Sequence, residues 1–137
     1  MAKTSEHKTG KQVVIVEDDP EIAEMVRIVL EANGVAVHVT SDGRSGLERV
    51  RAVRPDGVVL DIMMPKMNGY EVCAAIQSDP DLAQIPIMVI TGLVETQDSK
   101  TEEEWRNRLG VADFVVKPLN MDTIGLRLRK LLQIPEA

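Results

Sequence analysis

The sequence predicts a single α/β domain built on a doubly wound, five-stranded parallel sheet with helices on both faces. Three observations lead there. Short apolar runs rich in Val and Ile alternate five times with longer stretches of helical period. The strongest runs are apolar at consecutive positions instead of every second one, as in strands buried on both faces of a parallel sheet. Four of the five runs end at a carboxylate, a hydroxyl or a lysine, with Pro or Gly close behind. Parallel strands deliver such residues to one edge of the sheet, where open α/β sheets hold their ligands.

The chain has 137 residues, enough for one domain that buries roughly two-thirds of its unfolded surface. Aromatics make up only 2%, so Val, Ile, Leu and Met must build the core. Residues 1–10 are polar, lack the apolar segment of a signal peptide and read as a flexible leader. The domain itself spans 11–133, and 134–137 form a C-terminal tail.

The first strand, Gln12 to Val16, carries apolar residues on both faces and so is central. It runs into Glu17-Asp18-Asp19-Pro20, where Asp19 suits an N-cap and Pro20 the first helical position. Ile22, Met25, Val26, Val29 and Leu30 then fall on one face of a helix closed by Asn33-Gly34. Val35 to Thr40 alternates, which marks an edge strand, and His38 on its wetter face reads as a solvated histidine. Ser41-Asp42 opens a second helix with Leu47, Val50 and Val53 inward, broken by Arg54-Pro55-Asp56-Gly57.

The third strand, Gly57 to Leu60, ends at Asp61, and the turn Met63-Met64-Pro65-Lys66-Met67-Asn68-Gly69 follows. A helix over about Tyr70 to Gln77 turns Val72, Cys73 and Ile76 inward. The fourth strand, Ile85 to Ile90, closes at Thr91-Gly92. Beyond it, Thr96 to Ser99 offers a cap, and Thr101 to Arg108 reads as a charged helix with Trp105 and Leu109 inward and Glu102-Glu103-Glu104 on a solvated face. Ala112 to Val116 is the fifth strand, ending at Lys117-Pro118. The last helix, from Asn120, places Ile124, Leu128, Leu131 and Leu132 inward. With the second strand at an edge and the first, third and fourth central, the order 2-1-3-4-5 fits.

Composition excludes several classes. One cysteine and two histidines make a zinc site or a Cys/His nucleophile pair untenable. A net charge of −6 leaves no broad basic face for nucleic acid, and no apolar run reaches the roughly 18 residues of a membrane span. A single cysteine without an export signal points to the cytoplasm.

The strand ends carry the chemistry. Glu17, Asp18 and Asp61, on neighbouring strands, would repel one another unless a cation joined them. Oxygen ligands with room for water suit Mg²⁺. Lys117 adds a point charge and Thr91 a hydroxyl, so metal, ammonium and hydroxyl surround Asp61 as nucleophile at a site for a transferring phosphoryl group.

Val16-Glu17-Asp18-Asp19-Pro20, Asp61 through Gly69, Ile90-Thr91-Gly92 and Gly110 through Leu119 resemble the receiver domains of two-component response regulators, over about residues 11–133. The resemblance implies the flavodoxin-like (βα)5 receiver fold. It further implies that Asp61 accepts a phosphoryl group from a phosphohistidine on a sensor histidine kinase or phosphotransfer protein. Glu17, Asp18, Asp61 and the backbone carbonyl of Met63 would hold Mg²⁺, Asp18 directly and Glu17 through water. Thr91 and Lys117 would hold the phosphoryl oxygens, and Lys117-Pro118 would be a cis peptide bond. Thr91 and Phe114 would form the switch: Thr91 moves to the phosphoryl group, Phe114 turns inward, and the surface of the fourth helix, fifth strand and fifth helix changes for an output partner or domain. Such a domain is a signalling switch that acts only on itself, a monomer or a phosphorylation-dependent dimer. Arg127 and Arg129 resemble dimer-face positions, though exposed arginines are usually solvated.

Three positions depart from the usual pattern: Gly92 where alanine is common, Phe114 without tyrosine's hydroxyl, and a Thr91–Lys117 interval a few residues longer than usual. Met63 and Leu93 bring no polar group to the expected path of attacking water, which implies slow self-dephosphorylation. Met63 also argues against a haloacid-dehalogenase-like phosphohydrolase, which needs a second Asp there. A flavodoxin-like phosphate-binding module conflicts with the acidic loop after the first strand.

Overall fold

The computed structural model describes residues 8–64, 67–92 and 101–135. Five strands and five helices alternate: β1 Gln12–Val16, α1 Pro20–Ala32, β2 Ala36–Thr40, α2 Gly43–Val53, β3 Gly57–Asp61, α3 Gly69–Ser78, β4 Ile87–Thr91, α4 Glu102–Leu109, β5 Asp113–Val116 and α5 Met121–Leu132. All neighbouring strands pair in parallel, in the order β2-β1-β3-β4-β5. The predicted fold class and strand order are those observed.

The sheet is buried on both faces. Val14, Val16, Val58, Leu60 and Val89 point to one side, where they meet Leu47 and Val50 of α2, Val72, Cys73 and Ile76 of α3, and Phe114 of β5. Val13, Ile15, Val59, Met88 and Ile90 point to the other, against Val26, Val29 and Leu30 of α1 and Ile124, Leu128 and Leu132 of α5. Each such side chain, fully buried, contributes about 1.5–3 kcal/mol. The pleat thus divides consecutive apolar residues between two cores, which is why the central strands need apolar residues at every position.

Several boundaries shift for local reasons. β2 starts at Ala36, because the Val35 N–H bonds to Leu30 O and helps to close α1. β4 starts at Ile87 and not Ile85: Pro86 has no N–H for a ladder, and the Ile85 N–H bonds to Leu82 O in the preceding turn. Asp19, Asp42, Asn68, Thr101 and Asn120 cap the five helices. Thr101 therefore caps α4, and the Thr96 to Ser99 cap lies outside the described residues.

Glu102 corrects the reading of a wholly solvated acidic face. Its Oε2 accepts the Val116 N–H at 3.0 Å and its Oε1 lies 3.3 Å from Arg127 Nη2. Leu131 is half-buried, and Ile134 of the expected tail packs on the same core. At the end of the expected leader, the Thr9 N–H and hydroxyl both donate to Gly34 O at 3.0 Å. His38 is half-buried, 3.0 Å from Gln12 Oε1 and 3.3 Å from Arg49 Nη1. Among the described residues, no helix is long and apolar enough to cross a membrane.

Candidate phosphoryl-acceptor site

The carboxyl ends of β1, β3, β4 and β5 lie side by side, so residues up to 100 positions apart converge. Glu17, just past β1, donates its N–H to Thr40 O and is only 1% exposed. Its Oε2 accepts the Asp19 N–H at 3.0 Å. Asp18 is exposed. Asp19 turns away to cap α1, accepting the Glu21 N–H at 2.9 Å.

Asp61 is the last residue of β3 and 3% exposed; its Oδ1 accepts the Met63 N–H at 3.1 Å. The loop that follows folds back tightly. The Gly69 N–H reaches Ile62 O at 2.9 Å, and a Cβ at Gly69 would lie 2.4 Å from both Asp61 O and Ile62 Cα. Thr91 ends β4, buried, and its carbonyl accepts the Lys117 N–H at 2.8 Å. Lys117 follows β5 and is joined to Pro118 by a cis peptide bond. Its Nζ lies 3.1 Å from Glu17 Oε1 and 3.5 Å from Asp61 Oδ2.

One ammonium thus faces two buried carboxylates, and a third, Asp18, stands beside them. Oxygens of Glu17, Asp18 and Asp61 lie within 4.8 Å of one another. Burial, with Asp61 nearby, raises the Glu17 carboxyl from 4.5 to about 7, against the opposing pull of the Asp19 N–H and Lys117. Burial works against the charge of Lys117, but Glu17 and Asp61 outweigh it and raise its pKa. Buried Glu17 Oε1 has its ion pair with Lys117 but no contact of hydrogen-bond geometry. A buried acceptor with spare capacity inside an excess of negative charge is what a hard divalent cation would complete, so the donor set fits one.

Glu17, Asp18, Asp61, Thr91 and Lys117 therefore gather as the sequence predicts. Met63 sits beside Asp61, with its side chain 55% exposed; Leu93 lies outside the described residues. Phe114 is not at the pocket. Its ring is already inside, 3% exposed, stacked on Trp105 of α4 with centroids 5.9 Å apart and planes 13° apart. Sequence reasoning overlooked this stack, although a lone tryptophan on the inner face of a charged helix was a visible signal for it.

Arg127 corrects the solvated reading as well. Its side chain is 28% exposed and donates to Asp113 Oδ2 at 3.0 Å, Asp113 Oδ1 at 2.7 Å and Phe114 O at 3.1 Å.

Residues 13–129 match the family defined as the response regulator receiver domain. The chain is 36% identical over 122 residues to the response regulator MprA of Mycolicibacterium vanbaalenii, covering 89% of this chain and 50% of the relative. It is 37% identical over 123 residues to the DNA-binding response regulator MtrA of Mycolicibacterium smegmatis, covering 90% and 51%. The chain thus spans about half the length of these relatives. Among solved structures, the chemotaxis response regulator CheY4 of Vibrio cholerae superposes with a TM-score of 0.78 at 28% identity, covering 90% of this chain and all of that one. A signal receiver domain of a histidine kinase from Syntrophus aciditrophicus gives 0.78 at 29% identity, covering 93% and 96%. With its strand order, its converging strand ends and these relatives, the chain belongs to the response regulator receiver domains of two-component signal transduction.

Proposed function

We propose that the chain is a phosphorylatable switch in which Asp61 accepts a phosphoryl group from a phosphohistidine on a sensor histidine kinase or phosphotransfer protein. The observation that carries this reading is the setting of Asp61: buried, tethered by the Met63 N–H, faced by Lys117 and clustered with Glu17 and Asp18.

A carboxylate oxygen of Asp61 attacks phosphorus, a P–O bond forms, the P–N bond to the donor imidazole breaks, and the imidazole leaves with a proton from solvent. Glu17, Asp18, Asp61 and the carbonyl of Met63 would hold Mg²⁺. Held there, the ion would supply positive charge against that of a transferring phosphoryl group. Lys117 Nζ, already 3.5 Å from Asp61 Oδ2, neutralises a second oxygen. The buried Thr91 hydroxyl donates to a third.

The product carries about −1.5 to −2 charges and three acceptor oxygens, so Thr91 and Lys117 are drawn toward it. Thr91 ends β4 beside Val116 of β5, and Phe114 lies two residues back under Trp105. Movement of Thr91 is thereby passed to the α4–β5–α5 surface. A shift from 1:99 to 99:1 needs about 5.5 kcal/mol of preference for the active form. That surface would signal to an output protein or domain, with the domain a monomer or a phosphorylation-dependent dimer. The domain acts only on itself, as a switch and not as a turnover enzyme.

Incubation with acetyl phosphate and Mg²⁺, followed by intact mass, should show one added phosphoryl group in the wild type and none in Asp61→Asn. Mass followed after donor removal should show slow loss, because Met63 offers no group to orient water. Equal labelling of Asp61→Asn would sink the assignment.

A further inference from the structure

We propose that Gly43, which lies outside the acidic pocket, is a positioning residue for it: the loop that carries Asp61 forward closes onto its bare Cα. The inference rests on the phosphoryl-acceptor reading above.

Gly43 is the first residue of α2, directly after the Asp42 cap, and is buried. A Cβ there would lie 1.8 Å from the Met67 carbonyl oxygen, 2.7 Å from its carbonyl carbon and 2.9 Å from its Cβ. Its φ is not in the positive range, so space and not backbone torsion is what demands glycine. A C···O contact normally opens to about 3.3 Å, so a methyl group would drive the Met67 carbonyl back by roughly 1.5 Å. The obstacle is backbone, which no rotamer change can clear.

That displacement has little room on the far side. Asn68 is held in a capping box with Glu71, at 3.0 Å in both directions, and Gly69 is clamped on Asp61 and Ile62. Through Gly69 the displacement bears on Asp61 itself, whose Oδ1 accepts the Met63 N–H. Misplacement of about 1 Å, originating away from the chemistry, can lower a rate on the order of 10²-fold. Gly43 touches no reacting atom. It acts through Met67.

Leu47 supplies the comparison. It lies on the same helix, buried in the core, and its truncation removes packing without pressing on the loop. The 137-residue wild type, Gly43→Ala and Leu47→Ala would be compared at a temperature where melting curves show each folded. Two quantities are read: the Mg²⁺ dissociation constant by calorimetry without donor, and the initial rate of phosphorylation by acetyl phosphate. Gly43→Ala should weaken Mg²⁺ by about tenfold and slow labelling by about 10- to 100-fold. Leu47→Ala should melt earlier yet stay within about twofold of wild type in both.

Wild-type values for Gly43→Ala overturn the inference, as do equal losses in Leu47→Ala, which would make the effect one of general stability. A Gly43→Ala chain that does not fold at all also overturns it, since the proposal confines the methyl group's cost to the loop. Failure of the wild type itself to label would instead overturn the phosphoryl-acceptor reading.

Discussion

Two clusters in this domain are made from the same materials and reach opposite ends. In one, Lys117 faces Glu17 and Asp61; in the other, Arg127 faces Glu102 and Asp113. Each joins a cation near β5 to two carboxylates distant in sequence. The Arg127 cluster is tied on every carboxylate oxygen: the guanidinium grips Asp113 with two bonds and Phe114 O with another, while Glu102 divides itself between Arg127 and the Val116 N–H. Those contacts also occupy outward-facing polar groups of edge strand β5, which blunts that edge. The Lys117 cluster is left short. Its ammonium is a single point charge against Glu17, Asp61 and nearby Asp18, and Glu17 Oε1 is buried without a hydrogen bond. Residue types do not separate a staple from a site; leftover charge and leftover lone pairs do.

Lys117 is where the two clusters should differ most. Lys117→Ala removes the cation that faces both buried carboxylates and should slow labelling by acetyl phosphate by about 10²- to 10³-fold, the usual cost of losing one electrostatic donor at a transfer site. The same substitution should tighten Mg²⁺, because a competing positive charge is gone. Parallel rate and calorimetric measurements check both signs. A rate that falls only because Mg²⁺ binds more weakly would contradict the division of labour between Lys117 and the carboxylates.

Protons and metal should compete at Glu17. Its carboxyl is raised from 4.5 to about 7, so the metal-free fold prefers it protonated. The stability contributed is complete below pH 4.5 and is lost as pH rises through 7, by up to about 3 kcal/mol at 1.36 kcal/mol per unit. Mg²⁺ should reverse the trend, raising the melting temperature far more at pH 8 than at pH 5. Glu17→Gln should flatten the metal-free profile over that window. Denaturant titrations across pH 4.5–8, with and without Mg²⁺, read it; a profile that the substitution leaves unchanged would remove Glu17 as its source.

Much of this was legible in the sequence, for a geometric reason. A parallel sheet brings every strand's end to one edge, so reading the residue after each apolar run recovers Glu17, Asp18, Asp61, Thr91 and Lys117 without coordinates. What stayed hidden depends on how helices lie on the sheet. That Glu17 is buried while its neighbour Asp18 is exposed cannot be read from two adjacent acidic positions. Glu102 looked like part of a solvated charge run because nothing local says that α4 starts beside Val116 of β5. Phe114 was expected to turn inward on activation, but whether it already lies inside is decided by Trp105, on a helix with no buried residue of its own.

The Arg127 cluster should respond in the opposite way. If the Arg127 cluster is a finished staple, breaking it should cost stability and leave the chemistry alone. Arg127→Ala removes a partly buried group and should cost about 1–2 kcal/mol, mostly from Asp113 Oδ2 and Phe114 O losing their Arg127 donor, since Asp113 Oδ1 keeps the Phe114 N–H. Glu102→Gln keeps an oxygen for the Val116 N–H and surrenders only the charge facing Arg127, which should cost under about 1 kcal/mol. Neither should change the Mg²⁺ dissociation constant, since neither touches Glu17, Asp18 or Asp61. Denaturant midpoints and calorimetry on the two variants read these values. A shift in Mg²⁺ affinity of tenfold in either would mean that the clusters communicate through Val116 and Lys117, adjacent residues that belong to one cluster each, and that the staple is part of the switch.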